Sequence, residues 1–267
     1  IETINDFFSA KLAKKVVKKY GKSSVITATN VFAHINNLDD FMIAAKKLLT
    51  ENGIIVIEAP YLVNLIDNLE YDTIYHEHLS YLSVKPVRIF CEKHKMELFD
   101  VEMKKIHGGT IRYFIGRKGK QSISNNVSNF LKLENRKKIY TNKQLDIFAK
   151  KVKIHRDELL KLLLNLKKSG KKIVGISAPA KGNTLLNYCR IGPELIDYVT
   201  EKNVMKIGNY TPGMHIPVYS DKQLLIDKPD YALVLAWNFA EEIMDNNKSF
   251  KKNKGKFIIP LPHPKII

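Results

Sequence analysis

The repeated alternation of short apolar segments with helical segments constrains the fold of this chain most strongly. Such alternation is typical of α/β proteins, in which helices cover both faces of a mainly parallel sheet. It occurs twice here, so the predicted fold class is α/β. The first run comprises predicted helices over residues 2–21, 37–50 and 84–95, strands over 24–28 and 54–58, and a hairpin of strands 97–105 and 110–117.

A charged helical stretch separates the first run from the second. It extends from about residue 125 to 169, carries an apolar stripe and is predicted to be a connector. We therefore predict three parts: a partial α/β domain over 1–118, a helical connector over 119–168, and a second α/β domain over 169–267. The second run comprises predicted strands over 173–177, 195–200, 231–236 and 257–260, with a helix that begins at Thr184.

The beginning of the first run carries a second constraint. In an open α/β sheet, a nucleotide-like ligand usually lies on a glycine-rich turn after the first strand. No such turn precedes residue 24. We therefore expect the chain to be truncated at its N-terminus and to lack much of a cofactor site. The sequence also shows no secretory leader and no apolar run of about 20 residues, which predicts a cytoplasmic location without a membrane partner.

The composition narrows the choice of partners. Lys and Arg total 44 against 27 Asp and Glu, a formal net charge of +17. The lysines are spread through helices and loops without an interleaved aromatic and basic patch, which argues against nucleic acid as a partner. Lysine-rich usage across the whole proteome is the favoured explanation of the charge, and a phosphate-bearing ligand is a compatible second cause. Cys91 and Cys189 lie far apart, which predicts neither a disulfide framework nor a thiolate zinc site.

Reactive side chains are densest in the ten residues from Asp72 to Tyr81, just beyond a predicted strand. A metal site is one interpretation, because His76 and His78 share a face if the segment is extended. Helix capping and satisfied backbone groups are a second interpretation. The third is acid/base catalysis, because a histidine titrates near neutrality and a neighbouring carboxylate can orient it.

Seven short motifs then carry a resemblance to one family. In order along nearly the whole chain, they resemble the nucleotide-sugar C-3 methyltransferases, which act in deoxysugar pathways. That family implies the second half of a Rossmann-like methyltransferase sheet followed by a second Rossmann-like domain. The motifs are NVFAH at 30–34, EAPY at 58–61, DTIYHEH at 72–78, HGG at 107–109, APAKGN at 178–183, TPG at 211–213 and LAWNF at 235–239.

The resemblance implies a reaction and its cofactor. The expected activity is methylation by S-adenosylmethionine at C-3 of a nucleotide-linked 4-keto-6-deoxy sugar, through removal of the C-3 proton and methyl transfer to the enolate. In that family a zinc-binding module and the glycine-rich cofactor turn come first. Neither is found in this sequence. We therefore expect zinc only in such a module, no metal ion at the histidines, and a cofactor site that is partly missing from this chain.

The resemblance also implies roles for individual residues. His78 is the expected base, Glu77 tunes the histidine environment, and Tyr75 stabilises the enolate or positions the sugar. Asn30 and His34 are similar to residues that line the same pocket. The expected substrate contacts are Lys181, Asn183 and Thr184, where a strand gives way to a helix that can meet a diphosphate, together with His107, Gly108 and Gly109.

Two other functions stay open on the sequence alone. The missing cofactor turn favours a fragment that binds a nucleotide sugar without catalysis. His76, Glu77 and His78 favour a metal-dependent sugar isomerase or hydrolase. The sequence leaves open the nucleotide, the sugar and the oligomeric state.

Overall fold

A computed structural model describes residues 2–104 and 109–267 and divides the chain into two compact units. The first contains residues up to 64 and residues 76–141, and the second contains residues 65–75 and 142–267. The predicted α/β class is confirmed, because each unit combines a sheet with parallel strands and flanking helices. The predicted connector is shared between them, since its first helix belongs to the first unit and its second helix to the second.

The first unit is built on a four-stranded sheet in the order β1-β2-β4-β3. β1 and β2 are parallel, and β2, β4 and β3 are antiparallel, which includes the predicted hairpin. The elements are α1 (Ala10–Tyr20), β1 (Ser23–Thr29), α2 (Leu38–Leu48), β2 (Leu49–Pro60), α3 (Leu62–Asp67, which ends in the second unit), α4 (Val84–Lys93), β3 (Met96–Lys104), β4 (Thr110–Arg117) and α5 (Asn125–Lys137).

Two predicted boundaries in this unit were wrong. The first helix begins at Ala10 and not at residue 2, because Ser9 is an extended N-cap whose hydroxyl accepts a hydrogen bond from the Leu12 N–H at 3.2 Å. β2 extends well beyond the predicted residues 54–58. Its added length pairs with β4 as far as Pro60, which carries the chain to the end of the sheet where the polar motifs lie.

A buried carboxylate holds the start of α4. Glu134 of α5 is fully buried and accepts hydrogen bonds from the backbone N–H groups of Val84 and Lys85, at 2.6 and 3.0 Å. The hydroxyls of Tyr61 and Tyr140 also donate to it. An anion at a helix N-terminus satisfies N–H groups that have no partner within the helix and is favoured by the helix dipole.

We expect Glu134→Ala to lower the free energy of unfolding by about 3 kcal/mol, because it leaves these buried donors without an acceptor. Urea denaturation followed by circular dichroism measures this. Glu92→Ala removes an exposed carboxylate that pairs with Arg88 on α4 and should change stability by less than about 1 kcal/mol. Equal effects of the two substitutions would contradict the capping role.

The second unit contains a six-stranded sheet in the order β10-β9-β8-β5-β6-β7. All neighbours pair in parallel except β10, which is antiparallel to β9. The elements are α6 (Asn142–Lys168), β5 (Ile173–Ile176), α7 (Ala180–Cys189), β6 (Val199–Glu201), β7 (Val218–Ser220), α8 (Gln223–Asp227), β8 (Tyr231–Val234), α9 (Ala240–Asn246), α10 (Lys248–Lys252), β9 (Lys256–Ile259) and β10 (Lys265–Ile266).

The structure corrects two further predictions here. α7 begins at Ala180 and not at Thr184, because Pro179 occupies the N-cap and its carbonyl already accepts the Asn183 N–H at 3.1 Å. β6 begins at Val199 and not at residue 195, since Leu195 and Ile196 form a buried turn whose N–H groups donate to Gly192. β7 and β10 were not predicted, because strands of two or three residues are too short to show a periodicity.

Buried side chains cover both faces of this sheet. One apolar cluster joins the sheet to α6 and α7, and another joins it to α8, α9 and α10. The chain leaves β5 toward β6 on one side and returns to β8 on the other, so the strand order reverses between β5 and β8. A reversal of this kind opens a crevice at the carboxyl ends of the strands, where ligands of α/β sheets bind.

Among the described residues, no helix has both the length and the apolar character that crossing a membrane requires.

Candidate functional site

The carboxyl ends of β1 and β2 bring the first polar motifs together. Asn30 follows β1 in the left-handed region, with φ of 52°, and its N–H donates to the carbonyl of Glu58 at 2.9 Å. The side chain of Glu58 is buried and accepts two hydrogen bonds from Arg112 of β4, at 2.9 and 2.7 Å. The turn after β1 is thereby tied to β2 and β4.

His34 and His78 lie against each other beyond this edge. Their ring centroids are 4.9 Å apart and the rings are tilted by 58°. The backbone holds the two segments in register, because the N–H groups of Leu79 and Ser80 donate to the carbonyl of Ala33 at 2.9 and 3.2 Å. Both imidazoles are half-buried. The structure thus brings two predicted site histidines, 44 positions apart in the sequence, into contact.

The remaining members of the motif differ in exposure and in the unit to which they belong. The ring of Tyr81 meets His78 edge-on at 6.4 Å. His76 and Glu77 are solvent-exposed in the turn before His78, and Tyr75 is half-buried and is assigned to the second unit. Among the described residues, no group of three or more His, Cys, Asp and Glu side chains is arranged to hold a metal ion.

Gly109 is packed closely against a side chain of the first unit. Its φ is +117°, and a Cβ at this position would lie 1.7 Å from Nδ2 of Asn64. Glycine is therefore required both by the backbone conformation and by the space. The other two residues of the predicted contact, His107 and Gly108, lie outside the described residues.

The second unit has a cleft of about 280 Å³ at the carboxyl ends of β5, β6, β7 and β8. Its polar lining includes Ser177, Glu201 and Asp221, each of which ends or follows a strand. Glu201 accepts hydrogen bonds from the N–H groups of Lys202 at 2.9 Å and of Ala178 at 3.2 Å. Burial opposes ionisation of Glu201, but these backbone donors outweigh it and hold the pKa of Glu201 below its usual range.

Sequence reasoning missed Glu201 as a site residue. The available signal was an acidic residue directly after an apolar strand, about 25 positions beyond the first strand of the unit. In dinucleotide-binding sheets an acidic residue at this position receives hydrogen bonds from ribose.

The predicted phosphate contacts lie in the first turns of α7, where N–H groups point out of the helix. Gly182 is buried there, and a Cβ on it would lie 2.7 Å from Cβ of Leu235, which follows β8. Asn183 accepts a hydrogen bond from Asn187, and the hydroxyl of Thr184 donates to the Ala180 carbonyl at 3.5 Å. Lys181 lies with its ammonium 5.0 Å from the centre of the Trp237 ring.

Two buried carboxyl groups accompany Lys181 and Trp237. Asp72 is fully buried, and its Oδ2 accepts the indole N–H of Trp237 at 2.6 Å. Glu70 is also buried and accepts a hydrogen bond from Asn68 at 3.0 Å. Burial raises the pKa of Glu70 to about 7 and that of Asp72 to about 6, and Lys181 opposes both shifts. Burial also lowers the pKa of Lys181.

These shifts predict how stability depends on pH. The folded state raises both carboxyl pKa values, so it binds protons more tightly than the unfolded chain. Their contribution to stability is therefore complete below about pH 4 and is lost as pH rises through about 6 and 7. At pH 8, the free energy of unfolding of Glu70→Gln should exceed that of the wild type by about 2 kcal/mol, and the difference should shrink toward pH 5. Urea denaturation at each pH measures it.

Asp146→Asn, which changes an exposed aspartate of α6, should leave the pH dependence unchanged. A Glu70→Gln profile parallel to that of the wild type would contradict a raised pKa at Glu70.

Two comparisons with known proteins show what the chain is similar to. A family model described as the C-methyltransferase C-terminal domain matches residues 105–262, which is more than half of the chain. The chain is also similar to the C-methyltransferase NovU of Streptomyces niveus, with 34% identity over 268 aligned residues. That alignment covers 100% of this chain and 64% of NovU, so the chain spans less than two-thirds of this relative. By the extent of the family match, the chain belongs to the family defined by the C-methyltransferase C-terminal domain.

Proposed function

We propose that the protein methylates C-3 of a nucleotide-linked 4-keto-6-deoxy sugar with S-adenosylmethionine as the methyl donor. The observation that carries the proposal is the contact between His34 and His78 at the carboxyl edge of the first sheet. Family membership and the similarity to a C-methyltransferase support the methyl transfer. The C-3 position and the sugar class rest on the motif resemblance. Because both expected reactants are charged metabolites, we place the reaction in the cytoplasm.

Methyl transfer to carbon requires that the carbon first become a nucleophile. In the proposed step, His78 takes the C-3 proton, and the electrons of the C–H bond move into a C3–C4 double bond while the C-4 ketone becomes an enolate. C-3 is then the nucleophile that would bond to the methyl group, and the donor, when bound, would keep the electrons of its broken carbon–sulfur bond. The contact with His34 fits His78 for this role by limiting the positions of its ring.

Neighbouring groups take the supporting roles in the proposal. Tyr75 donates to the enolate oxygen or positions the sugar, and Asn30 lines the pocket at the end of β1. Glu77 is exposed, so its proposed effect on the histidines is electrostatic. The turns after β1 and β5 are not glycine-rich, so neither resembles the turn that cradles a nucleotide-like cofactor. The described residues therefore fit the acceptor side of the reaction, and S-adenosylmethionine supplies an electrophilic methyl when bound.

The second unit is the proposed holder of the nucleotide. Its cleft lies where the strand order reverses, and the ionised Glu201 is suited to accept hydrogen bonds from ribose hydroxyls. The first turn of α7 and Lys181 are the proposed diphosphate contacts, with Asn183, Thr184 and the 107–109 motif as further substrate contacts. Binding of the nucleotide sugar without catalysis is the second candidate, because the cleft and Glu201 serve binding alone.

We expect His78→Ala in the full-length gene product to reduce methyl transfer by about 10² to 10⁴-fold, because the C-3 proton then lacks its base. Mass spectrometry of the product and of deuterium loss at C-3 measures both steps. His76→Asn is the matched control, since it changes an exposed histidine two positions away, and it should retain activity within threefold or so.

Equal loss in His76→Asn and His78→Ala, with a metal ion in the purified protein, would favour the metal-dependent alternative. Unchanged deuterium loss in His78→Ala would contradict its role as base.

We expect Glu201→Gln to weaken nucleotide-sugar binding by about tenfold, because the ribose then loses a hydrogen bond to a charged acceptor. Isothermal titration with a nucleotide-linked 4-keto-6-deoxy sugar measures the dissociation constant. Glu241→Gln, an exposed carboxylate of α9, serves as the control. An unchanged dissociation constant in Glu201→Gln would argue against ribose recognition at this position. Titration with S-adenosylmethionine separates the catalytic protein from the binding fragment.

A further inference from the structure

The short segment that precedes the histidine motif is held by the second unit. Residues 65–75 belong to that unit, although the chain on both sides belongs to the first. The hydroxyl of Tyr71 lies 3.1 Å from Nδ1 of His155 and 3.3 Å from Sγ of Cys189. Because Nε2 of His155 donates to the Pro260 carbonyl at 2.7 Å, its Nδ1 accepts the proton of Tyr71.

Asp72 is the next anchor of this segment, and it differs from Tyr71 in how well its polar atoms are hydrogen-bonded. One carboxylate oxygen accepts the indole N–H of Trp237, whereas the other, Oδ1, is buried without a hydrogen bond of good geometry among the described residues, since only the backbone N–H groups of Asp72 and Thr73 lie nearby. A buried, half-satisfied carboxylate costs stability. Packing alone therefore does not account for an aspartate at this position, and a function is the better explanation.

The position of Asp72 in the segment suggests that function. Residues 71–73 form a 3-10 turn, in which the Ile74 N–H donates to the Tyr71 carbonyl at 3.0 Å. Asp72 is fully buried, whereas Ile74 is 46% exposed, so the chain leaves the interior within two residues. Among the charged residues of the segment, Asp72 is thus the closest in sequence to Tyr75, which the proposed function places on the substrate.

We propose that Asp72 is a positioning residue of the methyl transfer, which sets the place of Tyr75 by holding its segment to Trp237 and Lys181. Asp72 does not touch the reacting atoms. It fixes the 3-10 turn that ends two residues before Tyr75, through a charge-assisted hydrogen bond to the indole and the positive charge above the same ring. This inference rests on the proposed function, because the role of Tyr75 does.

Several charged and titratable groups lie around Asp72, and a test must distinguish its effect from theirs. Lys181 acts on it from α7, and Glu70 lies within its own segment. Burial raises the pKa of Tyr71 and that of Cys189, and the Asp72 carboxylate adds to both shifts. Trp237 is the only tryptophan of the chain, so its fluorescence reports on this cluster directly.

Asp72→Asn tests the proposal in the full-length gene product, because asparagine keeps the size and the acceptor for the indole but removes the charge. We expect kcat for methyl transfer to fall at least tenfold, with the KM for the nucleotide sugar within twofold. Hydrogen exchange of the amides of residues 73–76 should become at least tenfold faster. The emission of Trp237, which should change between pH 5 and 7 in the wild type as Asp72 titrates, should lose that transition.

Asp146→Asn is the matched control, an exposed aspartate of the same unit that should alter none of these readouts. Trp237→Phe removes the indole N–H that donates to Asp72 and should cause the same loss of kcat. It therefore tests the proposal even if Asp72→Asn does not fold. A double mutant that loses no more kcat than either single variant would show that the two residues act as one unit.

The outcomes separate the two proposals. If the wild type transfers methyl and Asp72→Asn retains kcat within twofold, the positioning role is overturned and the proposed function stands. If the wild type methylates none of the nucleotide sugars offered, the proposed function fails and the positioning role fails with it. A lower melting temperature with unchanged kcat and unchanged exchange at residues 73–76 also overturns the positioning role.

Discussion

The parallel pairing of β1 with β2 is the constraint on which the candidate site depends. Parallel strands end at the same edge of a sheet, so the residues that follow each strand are brought close together whatever their distance in sequence. Here the register places Thr29 beside Glu58, and the N–H of Asn30 then reaches the Glu58 carbonyl. The 3-10 turn that carries His34 lies just beyond this edge. The Ala33 carbonyl of that turn accepts hydrogen bonds from the loop that carries His78.

The buried carboxylates of the two units differ in how many hydrogen-bond donors surround them. In the first, Glu134 is surrounded by donors and Glu58 is paired with Arg112, so each buried carboxylate supports the packing around it. In the second, Glu70 and Asp72 are buried with fewer donors, and both have raised pKa values. Such groups weaken the fold near neutrality and are found most often where a protein recognises or orients something.

Much of this arrangement could be predicted from the sequence. The periodicity located most of the strands, and the resemblance to a family assigned Asn30, His34 and His78 to one pocket. Element ends were less predictable, because Ser9 and Pro179 determine them through single caps. The Asp72–Trp237 contact joins residues 165 positions apart, and no local pattern signals it. Glu201 was overlooked because its significance depends on the strand order, which a linear pattern does not contain.

The path of the chain has a consequence for how the protein can be divided. It passes from one unit to the other after residues 64, 75 and 141, so neither unit is a contiguous stretch. Leu69 and Tyr71 contribute to the core of the second unit, and a gene segment that begins at residue 142 would encode that core with a gap in it. A separately produced C-terminal half therefore also needs the eleven residues 65–75 to have the complete core of the second unit.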